Sequence, residues 1–276
     1  MKRTFILKCV TGLTAGLLLA ESRVTQGAVI GTDNFDYTNG PLLAQNGGTG
    51  WDRGGSGKTS WTTLFGTGAT VASGAAGTFN GGSLRNYGTL NGNNDQAIKA
   101  TGVVYFGVDM NFSPAAVANE RYAGVSSYDF GDERIKFGKT WNSLNFGLDG
   151  QGTAATNISI VANTTYRIVG SIQWDTAGGN GRLKMWVNPN VADLDTALGT
   201  GALTSADLVV NYGTTGNWNT GVRLASGGSN NNAPVAYDNL IVATTFAEAA
   251  AIPEPTAVAL LTLGSMLTLA RRRRRA

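Results

Sequence analysis

The chain contains no histidine and only one cysteine, Cys9, among its 276 residues. The absence of histidine excludes Ser-His-Asp and Cys-His nucleophilic catalysis, and it removes the most common protein ligand of zinc. Cys9 lies in a segment that we interpret below as an export signal, so the body of the protein has no thiol from which to form a disulfide. Packing, hydrogen bonds or bound calcium must therefore stabilise the body.

The N-terminus has the pattern of a secretory signal helix. Three basic residues within the first eight positions precede an apolar stretch at 10–20, and small residues follow at Gly27 and Ala28. This order of a basic region, a short apolar core and a small-residue exit is typical of a signal peptide. We expect residues 1–27 to be removed, with cleavage after Gly27 or Ala28.

The C-terminus combines a short motif, an apolar run and a basic cluster. Pro253, Glu254 and Pro255 precede the uncharged run 256–270, and the chain then carries Arg271, Arg272, Arg273, Arg274 and Arg275. The run is shorter than the roughly 20 residues of a stable membrane-spanning helix. Consecutive arginines stay on the cytoplasmic side of a membrane. The pattern predicts a C-terminal sorting helix that is processed, not a permanent anchor.

This C-terminal arrangement resembles the PEP-CTERM sorting tail of Gram-negative and planctomycete-type bacteria. The resemblance covers residues 252–276. It implies that the export machinery and an exosortase-type membrane protease handle the chain, with transient membrane association through the tail. It also implies delivery to the cell surface, outer envelope or extracellular matrix.

The charge of the body differs from that of the whole chain. Without residues 1–27 and 253–276, 12 of the 21 basic and 16 of the 18 acidic residues remain, so the body carries a net charge of −4 while the whole chain carries +3. No basic stripe remains to neutralise phosphates. We therefore expect no nucleic-acid partner.

The body alternates apolar and polar residues with period two. The pattern is clearest at 104–112, 166–174 and 183–187, and glycine-rich turns such as 175–181 separate the segments. Alternation of this kind indicates strands that bury one face. Ten to twelve short strands predict an all-β fold, an antiparallel two-sheet sandwich (jelly roll) flanked by the signal helix and the sorting helix. The glycine-rich stretch 47–82 is interpreted as long loops with weak strands.

Sequence segments of the body support this fold by resemblance. Asn34-Phe35-Asp36-Tyr37 resembles the opening of many surface-sorted bacterial jelly rolls, and Val187-Asn188-Pro189 and the segment 237–242 are similar to parts of laminin-G/concanavalin A-like sandwiches. The resemblance implies a jelly-roll body at 28–246. A linker at 247–252 and the sorting tail at 253–276 complete the expected domain organisation.

Carboxylates suited to glycoside hydrolysis are scarce. The body has only three glutamates, Glu120, Glu133 and Glu248, and none lies in the Glu-x-Asp-x-Glu pattern of laminarinase-like jelly rolls. Such enzymes need two carboxylates on opposite sides of the scissile bond. We expect no catalytic residues, and we keep a polysaccharide-cleaving enzyme as the least favoured alternative.

A calcium site is the one cofactor hypothesis. Calcium prefers oxygen ligands, and the first and last strands of a sandwich are commonly neighbours. Asp33 and Asp36 near the start and Asp238 near the end could therefore share one ion. The alternative is that Asp238 hydrogen-bonds a turn while the other two carboxylates are solvated.

Trp186 is the candidate carbohydrate contact. It alternates with the apolar residues of its strand, so it points to the opposite sheet face. The alternative is that covering chain segments bury it there. Together these features predict an exported, non-enzymatic sandwich with a structural or adhesive role. The alternative function is a carbohydrate-binding module that recognises extracellular polysaccharide.

Overall fold

The computed structural model describes residues 29–51, 59–86, 103–129, 132–150, 153–174, 180–189, 205–211, 221–229 and 233–251. The predicted signal peptide, its cleavage site at Gly27 and Ala28, and the sorting tail lie outside these residues. The flanking helices of the predicted fold therefore stay predictions.

Two antiparallel sheets form a sandwich, which confirms the predicted fold class. The strands are β1 (Val29–Asp33), β2 (Gly40–Pro41), β3 (Thr62–Gly66), β4 (Thr70–Ala72), β5 (Ala75–Thr78), β6 (Gly81–Asn86), β7 (Val103–Phe112), β8 (Arg121–Asp129), β9 (Asp132–Lys139), β10 (Asn145–Asp149), β11 (Thr153–Ser159), β12 (Thr165–Trp174), β13 (Asn180–Val187), β14 (Ser205–Asn211), β15 (Gly221–Gly228) and β16 (Val235–Ala243). Two short helices follow β7 and β16: α1 (Pro114–Val117) and α2 (Phe246–Ala250).

The described strands divide into a larger and a smaller sheet. The larger sheet has the order β14-β13-β12-β7-β16-β5-β4-β2, and β1 also pairs with β16. The smaller sheet has the order β11-β10-β9-β8-β15-β6-β3. The alternating segments on either side of the predicted turn 175–181 are strands, since β12 and β13 pair antiparallel from Ile168 with Val187 to Trp174 with Gly181. In the stretch interpreted as loops, the chain instead forms the paired strands β3 to β6.

Aromatic side chains on the inner faces of the two sheets form the core. Phe106 of β7 packs on Phe137 of β9 with ring centroids 5.8 Å apart. Phe146 of β10 contacts both Phe112 at 5.6 Å and Tyr166 at 4.7 Å. Such pairs each contribute about 1 kcal/mol beyond the area that they bury. Core packing thus occupies the inner faces of both sheets, so that only the outer faces can contact a ligand.

Helix α2 covers part of the outer face of the larger sheet. Phe246, Ala249 and Ala250 are buried there against Tyr105 and Trp186. Residues 247–250, expected to belong to a linker, are therefore part of a packed helix. Neither helix among the described residues is long and apolar enough to cross a membrane.

Candidate functional site

Asp33, the first member of the calcium hypothesis, is the counter-ion of a buried arginine. Its Oδ2 lies 2.6 Å from Nη1 of Arg85, and Tyr37 Oη and Trp61 Nε1 donate to the same oxygen at 2.7 and 2.8 Å. The backbone N–H of Phe35 donates to Oδ1. Burial, and then the hydrogen bond to Asp33, raise the pKa of the Tyr37 hydroxyl. Asp33 thus joins the two sheets through β1 and β6, and its charge is already balanced.

The other two aspartates do not complete a metal site with Asp33. Asp36 is exposed, while Asp238 is half-buried and accepts a hydrogen bond from the N–H of Asn239 at 2.7 Å. Burial, together with the negative charges of Asp109 and Asp36, raises the pKa of Asp238. Within the described ranges, no three acidic, histidine or cysteine side chains cluster closely enough to hold a metal ion. The hydrogen bond from the N–H of Asn239 to Asp238 matches the alternative interpretation of Asp238 given above, in which its carboxylate hydrogen-bonds a turn.

Trp186, the candidate carbohydrate contact, is 2% exposed. It points to the outer face of the larger sheet, as alternation predicted, but Phe246 of α2 packs edge-on against it with ring centroids 4.9 Å apart. No ring face is left for a sugar. The proposed contact is therefore corrected: Trp186 holds helix α2 on the sheet, and the alternative of a covered face is confirmed.

The outer face of the smaller sheet carries two cross-strand rows that the sequence analysis did not foresee. One row is polar and contains Arg223, Ser126, Lys136 and Asp149 on adjacent strands. The next row consists of small residues, which are Gly82, Ala225, Gly124, Gly138, Gly147 and Ala155. Neither α1 nor α2 belongs to this face, because one packs into the core and the other on the larger sheet.

Glycine in the second row lets long side chains lie flat on the sheet. A Cβ atom at Gly124 would lie 3.0 Å from Cγ of Lys136, and one at Gly227 would lie 2.7 Å from the Tyr122 hydroxyl. Any larger residue would lift these side chains off the backbone. The side chains of Lys136 and Tyr122 therefore lie along the surface of the sheet, over Gly124 and Gly227.

Charge pairs organise the polar row. The guanidinium of Arg223 contacts the carboxylate of Glu133 and donates to Ser126 Oγ at 3.2 Å. Lys136 Nζ lies 3.3 Å from Asp149 Oδ2 and 4.8 Å from the centre of the Tyr122 ring. Burial raises the pKa of the Tyr122 hydroxyl, so this hydroxyl stays protonated and able to donate. The row thus places anionic, cationic and hydroxyl groups side by side, with Ser126, Lys136 and Arg223 largely buried and the carboxylates of Glu133 and Asp149 about one-third exposed.

Arg223 itself is incompletely bonded. Its guanidinium lies between the rings of Phe65 and Tyr128, at 5.7 and 5.6 Å from their centres. Its Nε is buried and has no hydrogen-bond partner among the described residues. Leaving a buried donor unpaired costs about 1–3 kcal/mol. Such a cost is unusual in a purely structural arrangement.

Trp141 stands at the end of this face on a fixed turn. The turn runs from Thr140 to Ser143, whose N–H donates to the Thr140 carbonyl, and Asn142 has a φ of 57°. The N–H of Glu120 donates to Asn142 Oδ1 at 3.1 Å and ties the turn to β8. Trp141 is 46% exposed, and its ring lies 6.4 Å from that of Tyr122. A tryptophan held in this way exposes a ring without the cost of ordering it on binding.

A small recess lies beside the polar row. It measures about 100 Å³ and is lined by Glu133, Lys136, Asp149 and Gly150. Two carboxylates thus share one recess, and each of them contacts a cation. The recess therefore brings two hydrogen-bond acceptors and one cationic donor together.

The sequence analysis overlooked the residues that form this face. Trp141 and Asn142 in a polar segment directly after a predicted strand were the available signal, since asparagine favours a turn position with positive φ. Arg223 offered no such signal. Its partners Ser126 and Glu133 lie about a hundred residues away in the chain, so only the sheet order brings them together.

Comparisons with known proteins show similarity of fold alone. No protein-family model matches the chain, and no curated protein matches it. The chain is similar to Trypanosoma rangeli sialidase in complex with 2,3-difluorosialic acid, at 9% identity and a TM-score of 0.49, over 81% of this chain and 32% of that one. It is also similar to the binding domain of botulinum neurotoxin DC in complex with rat synaptotagmin II, at 9% identity and a TM-score of 0.48, over 80% of this chain and 48% of that one. The chain spans less than half the length of each of these structures, and the likeness says nothing about a ligand.

Proposed function

We propose that this protein is an exported, surface-sorted and non-enzymatic sandwich that binds extracellular polysaccharide through the outer face of its smaller sheet. Its role is structural or adhesive, in the cell envelope or extracellular matrix. The observation that carries the proposal is the exposed ring of Trp141, held on a fixed turn beside Tyr122 and the polar row. An aromatic surface next to fixed polar groups matches a sugar, which has apolar C–H faces and hydroxyl edges.

The charges of this face suit hydroxyl recognition. Hydrogen bonds in which one partner is ionised are roughly twice as strong as neutral ones. Glu133 and Asp149 can accept from hydroxyls while Lys136 donates to them, and the three lie around one recess. The two acids balance Arg223 and Lys136, so the face has no strong preference for a charged polymer.

The binding proposal predicts a large effect at Trp141 and none at a matched exposed residue. Affinity electrophoresis of the purified protein in gels that contain xylan, a soluble β-glucan or alginate measures retardation directly. We expect Trp141→Ala to weaken binding at least tenfold. Leu43→Ala is the control, since Leu43 is 53% exposed on a loop that follows β2 of the larger sheet. Equal retardation of wild type and Trp141→Ala would contradict the proposal.

The same samples distinguish binding from cleavage. The specific observation in favour of an enzyme is that Glu133 and Asp149 line one recess. A polysaccharide-cleaving enzyme would release reducing ends, and Glu133→Gln would abolish their release. The proposed binding protein leaves the polymer intact while it retards migration.

Export and sorting rest on the two chain ends and are tested separately. The export machinery and an exosortase-type protease are the partners that the PEP-CTERM resemblance implies. Fractionation of the producing cells followed by intact-mass measurement should find a surface or matrix species that lacks residues 1–27 and part of 253–276. A cytosolic product with both ends intact would overturn this part of the proposal.

A further inference from the structure

A second pocket lies on the opposite side of the sandwich, on the outer face of the larger sheet. It has a volume of about 370 Å³. A cross-strand row forms its base, in which Thr70 pairs with Gly77, Gly77 with Ala236, and Ala236 with Asn111. Phe79 follows β5 at the rim and is 51% exposed. The volume is in the range of small-molecule sites.

The floor of this pocket is open, in contrast to the glycine row of the smaller sheet. A Cβ atom at Gly77 would meet nothing closer than 3.6 Å, the distance to the Thr70 carbonyl oxygen. At Gly124 the corresponding space is filled by the Phe137 carbonyl and by Lys136, and at Gly227 it is filled by Tyr122. Small residues on this side therefore leave room that no described side chain occupies.

The lining indicates the chemistry of the occupant. None of the described residues that line the pocket is charged, and Thr70, Ser113, Asn111 and Asn163 add hydroxyl and amide groups to a lining that is otherwise mostly apolar. The amide of Asn111 is oriented by its hydrogen bond to Thr165 Oγ1 at 3.0 Å. Asn163 is held in its turn by its backbone N–H, which donates to the Phe112 carbonyl at 2.8 Å. Without a cation the pocket does not favour a phosphate or a carboxylate, whereas it suits a neutral ligand with many hydroxyls.

We propose that this pocket is a second glycan site that selects neutral sugars, with Phe79 as the stacking ring and Thr70, Asn111 and Asn163 as hydroxyl partners. The inference rests on the proposed function, because it assigns the ligand class of the first face to a second site. The two sites lie on the outer faces of opposite sheets, so one ligand cannot bridge them around the core. A single chain therefore holds two polysaccharide strands and links them, which fits a structural role in a matrix.

Two variants test this site without disturbing the core. Gly77→Val places a side chain on the open floor, at a backbone conformation that every residue can adopt. Phe79→Ala removes the exposed ring. Titration calorimetry with a neutral β-glucan hexasaccharide should give two sites in the wild type and one in either variant. Trp141→Ala should also retain one site, namely the pocket at Phe79.

Cross-linking provides the second readout. Wild-type protein should raise the turbidity of a long soluble β-glucan, and each single-site variant should lose most of this increase while its thermal unfolding stays unchanged. Loss of binding in Trp141→Ala alone, with Gly77→Val and Phe79→Ala unchanged, would overturn the second site and leave the proposed function standing. The reverse pattern would overturn the proposed face and leave the pocket as the binding site. Tight binding of polygalacturonate at the pocket would overturn its neutral selectivity.

Discussion

Each sheet carries a buried arginine that points outwards, and the two arginines have opposite bonding states. Arg167 on β12 donates to Asp109, to the carbonyl of Asn239 and to the carbonyls of Ala249 and Ala251 in and after α2. Arg223 on β15 contacts Glu133 and Ser126, while its Nε has no partner in the described part of the chain. The hydrogen bonds of Arg167 hold helix α2 on its sheet, whereas Arg223 keeps one buried donor without a partner among the described residues.

The cause of the difference is what lies above each sheet. Helix α2 brings its C-terminal carbonyls down onto Arg167, and those acceptors suit a cation because the helix dipole is negative at this end. Burial lowers the pKa of the Arg167 guanidinium, an effect that the nearby charge of Asp109 opposes. The smaller sheet has no helix over Arg223 among the described residues. The bonded arginine under the helix therefore stabilises the fold, whereas the incompletely bonded one lies on the face for which we propose ligand binding.

The largest expected effect is at Arg167. Replacing it with methionine (Arg167→Met) removes the positive charge beside Asp109, which keeps only the amide donor of Asn239, and removes the donor to three backbone carbonyls. We expect a loss of about 3–5 kcal/mol in the free energy of unfolding, because removing one partner of a buried ion pair leaves the charge of the other partner buried and uncompensated. Urea denaturation measures it. Polysaccharide binding by the protein that remains folded should be unchanged.

The control for this variant removes the stranded charge as well. Arg167→Met combined with Asp109→Leu should recover part of the lost stability, since no uncompensated carboxylate remains. A single variant as stable as wild type would break the comparison, because Arg167 would then not secure α2.

A smaller effect is expected at Lys139, which points to the interior from the same sheet as Arg223. Burial, assisted by the positive charges of Arg121 and Lys136, lowers the pKa of Lys139 to about 8 from 10.5. Between these values the unfolded chain binds a proton that the folded chain does not, so stability rises with pH across this window. Relative to that of Lys139→Met, the free energy of unfolding of the wild type should rise by about 2 kcal/mol between pH 7.5 and pH 9.5.

Urea titrations at the two pH values measure this difference. The comparison with Lys139→Met is needed because burial raises the pKa values of Tyr37 and Tyr237, which makes stability fall above about pH 10. An identical pH dependence in wild type and variant would show that Lys139 is not titrating in this range. The smaller sheet would then stabilise the charged form of its buried cations no less well than the larger sheet stabilises that of Arg167.

The sequence predicted the strands better than it predicted the segments and side chains that pack against them. Alternation is a local property, so it identified β7, β12 and β13 and the outward direction of Trp186. Helix α2 is five residues long, too short for a helical period to be visible, and so the sequence did not show which segment covers Trp186. Asp33 was matched to calcium because its true partner, Arg85, lies 52 residues away, too far for a local pattern to indicate the pair. Sites made by distant strands depend on sheet order, which a pattern of period two does not contain.

The smallest expected effect on stability, at Arg223, is also the most direct test of the comparison. Arg223→Met removes an ion pair whose acid, Glu133, is 33% exposed, and pairs of this kind contribute about 0–1 kcal/mol. The variant also removes the unpaired Nε, which offsets the loss of the contact with Glu133. We expect the free energy of unfolding to change by less than about 1 kcal/mol, while retardation by a β-glucan at the smaller sheet weakens severalfold. A loss of stability as large as that of Arg167→Met, with binding unchanged, would mean that both arginines are structural and that the exposed ring of Trp141 has no polar partner on this face.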